Sequence, residues 1–294
     1  MIIVRIYEGL GNQLFQYAYA RAVSFATGQK VFLDVRETGS LERDRGKTLR
    51  KSELHNFRTA LPICTNVEHF YPYLNASEDL LKAMEKLSGT GFLPFKYFEE
   101  KSPVYNERLL NLKGNWYLQG WFQDSRYFFK YSEELRKELR PRKKIKISKK
   151  LKDILRTKHT VSIHIRRSDY IRTVNTLPVQ YYYNAMNHMK EFVRQPFWVV
   201  FSDEPEWVKR NIDFGRECFF LSEKETLQDY EELIVMSCCQ NHIIANSTFS
   251  WWGAWLGQNA DKVVIGPERW LMKVRDFDYG EDILLKEWIK EPVE

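Results

Sequence analysis

The second half of the chain alternates short apolar runs with segments of helical periodicity, and this alternation constrains the fold most. Parallel strands need a crossover between them, so such runs with intervening helices indicate a parallel sheet covered on both faces. The predicted strands are Val161–Ile165, Phe197–Phe201, Cys218–Leu221, His242–Ala245 and Lys262–Ile265. The predicted helices are Val179–Val193, Glu204–Ile212, Leu227–Cys239 and Thr248–Gly257.

The first half opens with a similar pattern. Ile2–Tyr7 reads as a strand, Asn12–Thr27 as a helix that stops at Gly28, and Val31–Val35 as the next strand. Weaker patterns favour a strand at Tyr117–Trp121 and a helix at Ser125–Glu138. With 294 residues, 44% of them hydrophobic, the chain is long enough for two domains with their own cores.

A basic band separates the two halves. Arg140–Lys158 contains ten Lys or Arg residues and one acid, while the rest of the chain is close to neutral. Pro141 interrupts the pattern, so we predict an N-terminal α/β domain at 1–140, a basic linker at 141–158, a second α/β domain at 159–275, and a tail at 276–294 that packs back. The band is either a solvated linker with a basic helix or a patch that docks on anionic lipid head groups.

Composition narrows the classes of protein. A nucleic-acid-binding protein would spread its positive charge over a face, so we expect no nucleic-acid partner. The sequence shows no signal peptide and no apolar run long enough to span a membrane. Its four cysteines lack CxxC spacing and suggest reduced thiols. We therefore expect a cytoplasmic protein, which the lipid-docking interpretation places peripherally on the inner membrane.

Polar clusters follow four of the predicted strands. They are Glu8–Gln13, Arg166–Asp169, Ser202–Glu204 and Asn246–Ser250. Ligands of parallel sheets bind beyond the carboxyl ends of the strands, so these clusters predict the ligand site.

The chemistry of two clusters suits a diphosphate. The guanidinium of Arg166 or Arg167 offers a planar fork of donors, and the Asn-Ser-Thr run at a helix start offers hydroxyls and free N–H groups. The local alternatives are an ion pair between an arginine and Asp169 and an ordinary helix cap at Ser247 and Thr248. Together the clusters predict a diphosphate pocket without a metal.

Other candidate residues are interpreted as structural. Asp276-Phe-Asp278 matches the DxD pattern that holds a divalent ion on nucleotide-sugars, but it does not follow a clear strand, so we expect a solvated loop. His188 and His242 are isolated histidines, and we interpret both as structural.

The polar clusters resemble the signature blocks of the α-1,2-fucosyltransferases, glycosyltransferase family 11. His164–Tyr170 resembles their HxRRxDY signature, and Gly9–Ala18 resembles their GLGNQxFxYA block. Phe201–Asp203 and Ala245–Leu256 are similar to their two later blocks. The blocks occur in family order and leave only residues 40 to 150 unconstrained.

The resemblance implies inverting transfer of L-fucose from GDP-fucose to the 2-hydroxyl of a terminal, usually β-linked galactose, without a metal. It implies the GT-B type of glycosyltransferase, in which two Rossmann-like domains face a cleft, the first on the acceptor side and the second binding GDP-fucose. A bacterial surface glycan is the expected acceptor. The rival hypotheses are another GDP-sugar transferase on this scaffold and a non-catalytic glycan-binding protein, the latter suggested by nine tryptophans and sixteen tyrosines.

The resemblance also implies roles for individual residues. Arg166 would hold the β-phosphate and offset the charge on departing GDP, with Asp169 orienting an arginine. Asn12 would reach the fucose or the acceptor hydroxyl, with Gln13 and Glu8 on the acceptor side. The implied donor-binding residues are His164, Arg166, Asp203, Glu232, Asn246, Ser247, Thr248, Phe249 and Ser250.

Two positions depart from the family pattern. Glu232 stands where the family usually has an Asp that grips guanine N1 and N2; the alternative is an exposed helix acid. Glu8 stands where the family usually has Gly. It is a candidate general base for the acceptor hydroxyl, and the competing hypothesis is a loose, oxocarbenium-like transition state that needs little base.

Overall fold

A computed structural model describes residues 1–35, 51–64, 95–100, 104–173, 175–272 and 283–293 of the protein. The chain divides into two compact units, Met1–Arg142 (unit 1) and Lys143–Glu294 (unit 2). Each unit is built around one parallel sheet, in the order β2-β1-β4-β3 in unit 1 and β10-β9-β8-β5-β6-β7 in unit 2. The predicted α/β class is therefore confirmed.

The sheet of unit 1 consists of β1 (Ile2–Arg5), β2 (Val31–Asp34), β3 (Lys96–Glu99) and β4 (Trp116–Gln119). All three strand pairs are parallel. Strand β2 lies on one side of β1, whereas β4 and then β3 lie on its other side. The direction of the connections thus reverses between β1 and β4, and a crevice opens at the carboxyl ends of strands at such a point.

Helix α1 (Leu10–Thr27) forms the core of unit 1. It ends at Gly28, whose φ of 65° is in the left-handed region that glycine adopts without strain. Its Tyr17 and Tyr19 are fully buried. Short 3-10 turns, which are more tightly wound than α-helix, occupy Leu54–Asn56, Glu107–Leu110, Ser125–Tyr127 and Phe129–Tyr131, and α2 spans Ser132–Glu138.

The sheet of unit 2 has six parallel strands. They are β5 (Thr160–Ile165), β6 (Phe197–Ser202), β7 (Cys218–Phe220), β8 (Asn241–Ile243), β9 (Val264–Pro267) and β10 (Ile289–Glu291). The first and fourth strands of the unit, β5 and β8, are neighbours at its centre, as in the dinucleotide-binding doubly wound fold. All five strands predicted for this half are present, with shifted ends, and β10 is an addition.

Helices cover both faces of this sheet. They are α3 (Lys149–Thr157), α4 (Ser168–Thr173), α5 (Val179–Phe192), α6 (Pro205–Asn211), α7 (Leu221–Lys224), α8 (Asp229–Ser237) and α9 (Thr248–Leu256). In β6, Trp198 and Val200 enter one core with α5 and α6, while Val199 enters the other with α3 and α8. Burial on both faces explains why this strand is a continuous apolar run.

Four tryptophans form a buried cluster in unit 2. Trp251, Trp252 and Trp255 lie on α9 and pack with Trp288, at ring-centroid distances from 5.0 to 6.3 Å. The Trp251 indole donates a hydrogen bond of 2.6 Å to the carbonyl of Ile283. The C-terminal segment is thereby fastened to α9.

The basic band differs from the predicted linker. From Lys143 onwards it belongs to unit 2, since Leu151 and Ile154 of α3 are buried in its core. The Ser148 N–H donates to the Glu225 carboxylate, which fixes the start of the helix. Lys149 and Lys152 remain exposed, and docking on lipid stays a prediction. Within the ranges described above, no helix combines the length and apolarity needed to cross a bilayer.

Candidate active site

The carboxyl ends of β5 and β8 bring two predicted clusters together in unit 2. Arg166 and Arg167 follow β5, and the Asn246–Ser247 turn leads from β8 into α9. The rings of His164 and Phe249 lie 5.6 Å apart, so the end of β5 contacts the first turn of α9. Because connections reverse between β5 and β8, this is the expected ligand crevice of the unit.

Asp203, at the end of β6, holds the arginine turn in place. Its carboxylate accepts a bond of 3.0 Å from the backbone N–H of Arg167 and one of 2.6 Å from the Ser168 hydroxyl, and pairs with Arg166 at 3.1 Å. Asp203, predicted among the donor-binding residues, thus positions the turn. Asp169, predicted to orient an arginine, lies in α4, but its side chain is outside the described residues.

The two adjacent arginines have different surroundings. The guanidinium of Arg167 lies 3.2 Å from the ring centroid of Trp207, and its Nε donates to Glu204 at 3.0 Å. The Arg166 guanidinium lies 5.7 Å from the ring centroid of Tyr170, beside Asp203. Arg167 is therefore used to join β5 to α6. Glu204 belongs to a polar cluster that the sequence predicted. Trp207 was predicted only as part of a helix, and nothing in the sequence marked it as a partner of an arginine.

Ser247 occupies the N-cap position of α9 but makes no side-chain capping bond, which differs from the ordinary cap considered above. The first turn of α9 also contains no acidic residue. The first N–H groups of a helix have no partner within it and carry its positive dipole end. With Thr248 and Phe249 half-buried, this helix start offers its positive end to an anion.

Asn246 and Ser250 differ from their predicted roles. The Asn246 amide donates to the carbonyls of Asn175 and Trp270, at 2.9 and 3.0 Å. The Ser250 hydroxyl is fully buried and donates to the carbonyl of Ser247 at 3.2 Å. Asn246 was predicted to bind the donor and Ser250 to line its diphosphate. The structure turns both side chains toward backbone carbonyls, in neighbouring loops for Asn246 and in the first turn of α9 for Ser250, because buried carbonyls need donors.

His164 is a neutral ring at this edge. It is buried, and its Nδ1 has no hydrogen-bond partner within the described residues. Burial and the nearby Arg166 charge lower the pKa of His164 well below its ordinary value. The imidazole therefore stays uncharged at pH 7 and retains an unused polar atom.

Glu232 lies in the first turn of α8 and is half-buried. Burial, with the charge of Asp229, raises the pKa of Glu232 to about 7. Its carboxyl group makes no hydrogen bond or ion pair to any residue that the structure describes. Helix α8 packs closely on α9 where Met236 meets Gly253. Glu232 is thus a desolvated acceptor on a helix packed against α9.

A second polar cluster follows β1 and β4 in unit 1. Oε2 of Glu8 accepts bonds from Asn12 Nδ2 at 2.5 Å and from the Trp121 indole at 2.9 Å. The Asn12 carbonyl oxygen accepts from Gln123 Nε2 at 2.8 Å. The sequence analysis placed Glu8 and Asn12 at this edge. It missed Trp121 and Gln123 as site residues, although Trp121 ends a predicted strand and Gln123 closely follows it.

Gln13 differs from its predicted place on the acceptor side. It is buried, and its Nε2 donates to the backbone carbonyls of Glu8 and Lys51 at 2.7 and 3.1 Å. Its carbonyl oxygen accepts the N–H of Glu53 at 2.9 Å. The amide is occupied in joining chain segments, so Gln13 shapes the loop rather than facing a ligand.

The structure also locates the remaining predicted residues. His242 is buried beside the Ser162 hydroxyl at 2.8 Å, and His188 pairs with Glu291 at 2.9 Å. Among the residues with described positions, no cluster of three or more His, Cys, Asp or Glu is arranged to hold a metal. Asp276 and Asp278 lie outside them.

The two units, each built on one parallel sheet, have the fold type of the GT-B class. A mutant of Arabidopsis thaliana FUT1, solved in complex with GDP, matches with a TM-score of 0.50 and 10% identity over 92% of this chain and 72% of that one. The family model for glycosyl transferase family 11 matches residues 1–292, and the chain belongs to this family. The fold type and family predicted from the sequence are thus confirmed, while the facing of the two units across a cleft stays a prediction.

Two curated Escherichia coli proteins are similar along most of their length. The O-antigen biosynthesis glycosyltransferase WbnK is 28% identical over 288 residues, which is 89% of this chain and 92% of the relative. An α-1,2-colitosyltransferase is 31% identical over 281 residues, covering 92% of each chain. These similarities support glycosyltransferase activity for the chain.

Proposed function

We propose that the protein transfers L-fucose from GDP-fucose to the 2-hydroxyl of a terminal galactose in a bacterial O-antigen type of glycan. The family membership supports sugar transfer, and one relative is named for O-antigen biosynthesis while the other is named for an α-1,2 transfer. The residues of unit 2 supply the reason to expect a GDP-sugar as the donor.

The observation that carries the proposal is that Arg166 follows β5 at the same sheet edge where α9 begins after β8, the strand that pairs with β5. A fixed guanidinium and a helix dipole both favour a diphosphate, and neither requires a metal. Asp203 restrains Arg166, so the fork is oriented before the ligand arrives.

Glu232 and His164 supply the contacts proposed for the nucleoside. Guanine presents N1–H and N2–H donors on one edge, and a carboxylate accepts both, whereas adenine lacks this pair. The half-buried Glu232 carboxyl has a raised pKa, which indicates an acceptor that lost water without gaining a donor. The unused Nδ1 of His164 is a partner for a ribose hydroxyl.

The proposed reaction is a single displacement. The acceptor 2-hydroxyl oxygen attacks fucose C1 on the face opposite GDP, and its proton passes to water as the new bond forms. The bond from C1 to the β-phosphate oxygen breaks, and its electron pair leaves with GDP, so the β-linked donor becomes an α-linked product. Arg166 stabilises the charge that develops on the departing diphosphate.

Colitose is a second candidate for the transferred sugar. The similarity to an α-1,2-colitosyltransferase, at 31% identity over 92% of both chains, favours it. Colitose lacks one ring hydroxyl of fucose, so both sugars suit the same diphosphate and guanine contacts. Discrimination would come from groups near the sugar ring.

The test is a donor screen with a β-galactoside acceptor, measuring GDP release and assigning the product linkage by NMR. We expect turnover with GDP-fucose, or with GDP-colitose if the second candidate holds, and an α-1,2 product in either case. Turnover with GDP-mannose alone, or a different linkage, would reject the proposal. Galactoside binding without any turnover would instead indicate a glycan-binding protein.

A further inference from the structure

Two strained backbone positions lie in or directly beside the polar cluster of unit 1. Three non-glycine residues in the described ranges have positive φ: Glu8 at 65°, Phe122 at 50° and Gln195 at 55°. Glu8 and Phe122 closely follow β1 and β4, the two strands between which the connections of unit 1 reverse. Left-handed backbone at a bulky residue persists only where its surroundings enforce it, and such positions concentrate at functional sites.

Glu100 enforces the conformation after β4. Its buried carboxylate accepts the N–H groups of Trp121 and Phe122, at 2.7 and 2.9 Å. A Cβ at Gly120 would lie 2.6 Å from the Glu100 Cβ, so the approach requires glycine. The turn is thereby fixed with the Trp121 indole N–H directed at Glu8.

Glu8 in turn determines how Asn12 is oriented. Asn12 Nδ2 donates to the Glu8 carboxylate, and Asn12 Oδ1 accepts from Gln123. A flipped carboxamide would place its oxygen against the Glu8 carboxylate and its NH₂ against the NH₂ of Gln123. Both contacts would be repulsive, so a charged or polar acceptor at position 8 selects one orientation of Asn12.

We propose that Glu8 is a positioning residue that fixes the Asn12 carboxamide for hydrogen bonding to a hydroxyl of the acceptor galactoside. Asn12, Trp121 and Gln123 are all partly exposed, and a half-exposed indole among amides is suited to a sugar. The inference deepens the proposed function and rests on it. It differs from a general-base role, in which the Glu8 carboxylate would take the acceptor proton.

The decisive variant is Glu8→Gly in the full-length chain. Glycine relieves the backbone strain but removes both hydrogen bonds, so the two effects on stability oppose each other and the melting temperature should change little. We expect KM for the galactoside to rise about tenfold. KM for the GDP-sugar should stay unchanged, because the donor residues belong to unit 2.

Glu8→Gln separates positioning from proton transfer. The glutamine carbonyl can still accept from Asn12 and Trp121, so kcat should stay within about threefold of the parent value. Loss of a general base would instead lower kcat by at least about a hundredfold, and that outcome would overturn the positioning role.

Gln195→Gly is the matched control. It relieves the same kind of strain at an exposed turn before β6, so neither KM should change. A parental acceptor KM in Glu8→Gly would overturn the inference. So would an equal rise of both KM values together with a large fall in melting temperature, since that pattern indicates a general structural role.

The inference and the proposed function can fail separately. If the parent protein turns over no GDP-sugar, the proposed function fails, but titration with methyl β-galactoside followed by NMR still reports on unit 1. The parent should bind this probe about tenfold more tightly than Glu8→Gly. Equal binding by the two proteins, or no binding by the parent, overturns the positioning role.

Discussion

Arg166 and Arg167 show that adjacent residues of one type serve different purposes. Arg167 stacks on Trp207 and pairs with Glu204, so its fork is used within the protein. Arg166 is held by Asp203 at the ends of the central strands. We therefore propose Arg166 for the diphosphate contact.

Arg166→Lys should lower kcat by about a hundredfold, because an ammonium is a point charge that cannot reproduce the planar fork toward a diphosphate. GDP affinity, measured by calorimetry, should fall as well. Arg210→Lys is the control, since Arg210 is an exposed arginine on α6 whose Nε donates to the backbone carbonyl of Glu206 in the same helix. Parental turnover in Arg166→Lys would remove the account of leaving-group stabilisation.

Glu232 predicts a pH dependence of donor binding. Its pKa of about 7 in the free protein means that the carboxyl gains a proton as the pH falls through neutrality. A protonated carboxyl cannot accept both guanine donors, so KM for the GDP-sugar should rise below pH 7 and level off above it. Glu232→Gln should abolish this dependence. A flat donor KM between pH 6 and 8 in the parent protein would contradict the guanine contact.

The sequence located candidate residues better than it oriented them. Residue type at the strand ends predicted His164, Arg166 and Phe249 at one edge of the sheet, where His164 contacts Phe249 and is affected by the Arg166 charge. It did not indicate that Asn246 and Ser250 would turn toward backbone carbonyls, because that depends on which carbonyls the surrounding loops leave unpaired.

At the scale of elements, the approach of α8 to α9 depends on a glycine. A Cβ at Gly253 would lie 2.8 Å from Met236 Cγ, so the two helices pack closer than an alanine permits. Both helices carry residues of the candidate site, Glu232 on α8 and Phe249 on α9. Their packing therefore bears on function as well as stability.

Gly253→Ala should lower the free energy of unfolding by about 1–3 kcal/mol, because overpacking forces neighbours apart. GDP affinity should fall with it. Met236→Ala creates space at the same point, so the double variant should be more stable than the sum of the two single losses predicts. Strictly additive losses in denaturant titrations would show that the two positions are not in contact.

Helices and strands were predicted well where the apolar periodicity was strong. They were predicted poorly where tertiary packing determines the backbone conformation. Ser125–Glu138 was predicted as one helix but contains two 3-10 turns before α2. The buried rings of Tyr127 and Phe128 pack against Tyr19 and Phe15 of α1, which fixes the backbone in this tighter winding. Strand β10 spans three residues, too few for a pattern to emerge.

For the whole molecule, we expect activity in excess chelator to equal activity in its absence. In the proposed site, Arg166 and the start of α9 would supply the positive charge for the diphosphate, so we expect no divalent ion to be needed for that purpose. The measurement is GDP release in excess EDTA and, in parallel, with added Mn²⁺ or Mg²⁺. A strict requirement for Mn²⁺ or Mg²⁺ would contradict this expectation and direct attention to Asp276 and Asp278.

The tryptophan cluster on α9 has a practical consequence. Seven of the nine tryptophans follow Lys143 in the sequence, and four of them share one buried cluster. In unit 1, by contrast, tyrosine and phenylalanine rings fill the core around α1. Indole fluorescence during denaturation will thus chiefly report the opening of unit 2, while circular dichroism follows both units. A gap between the two melting curves would reveal that one half of the enzyme can open while the other stays folded.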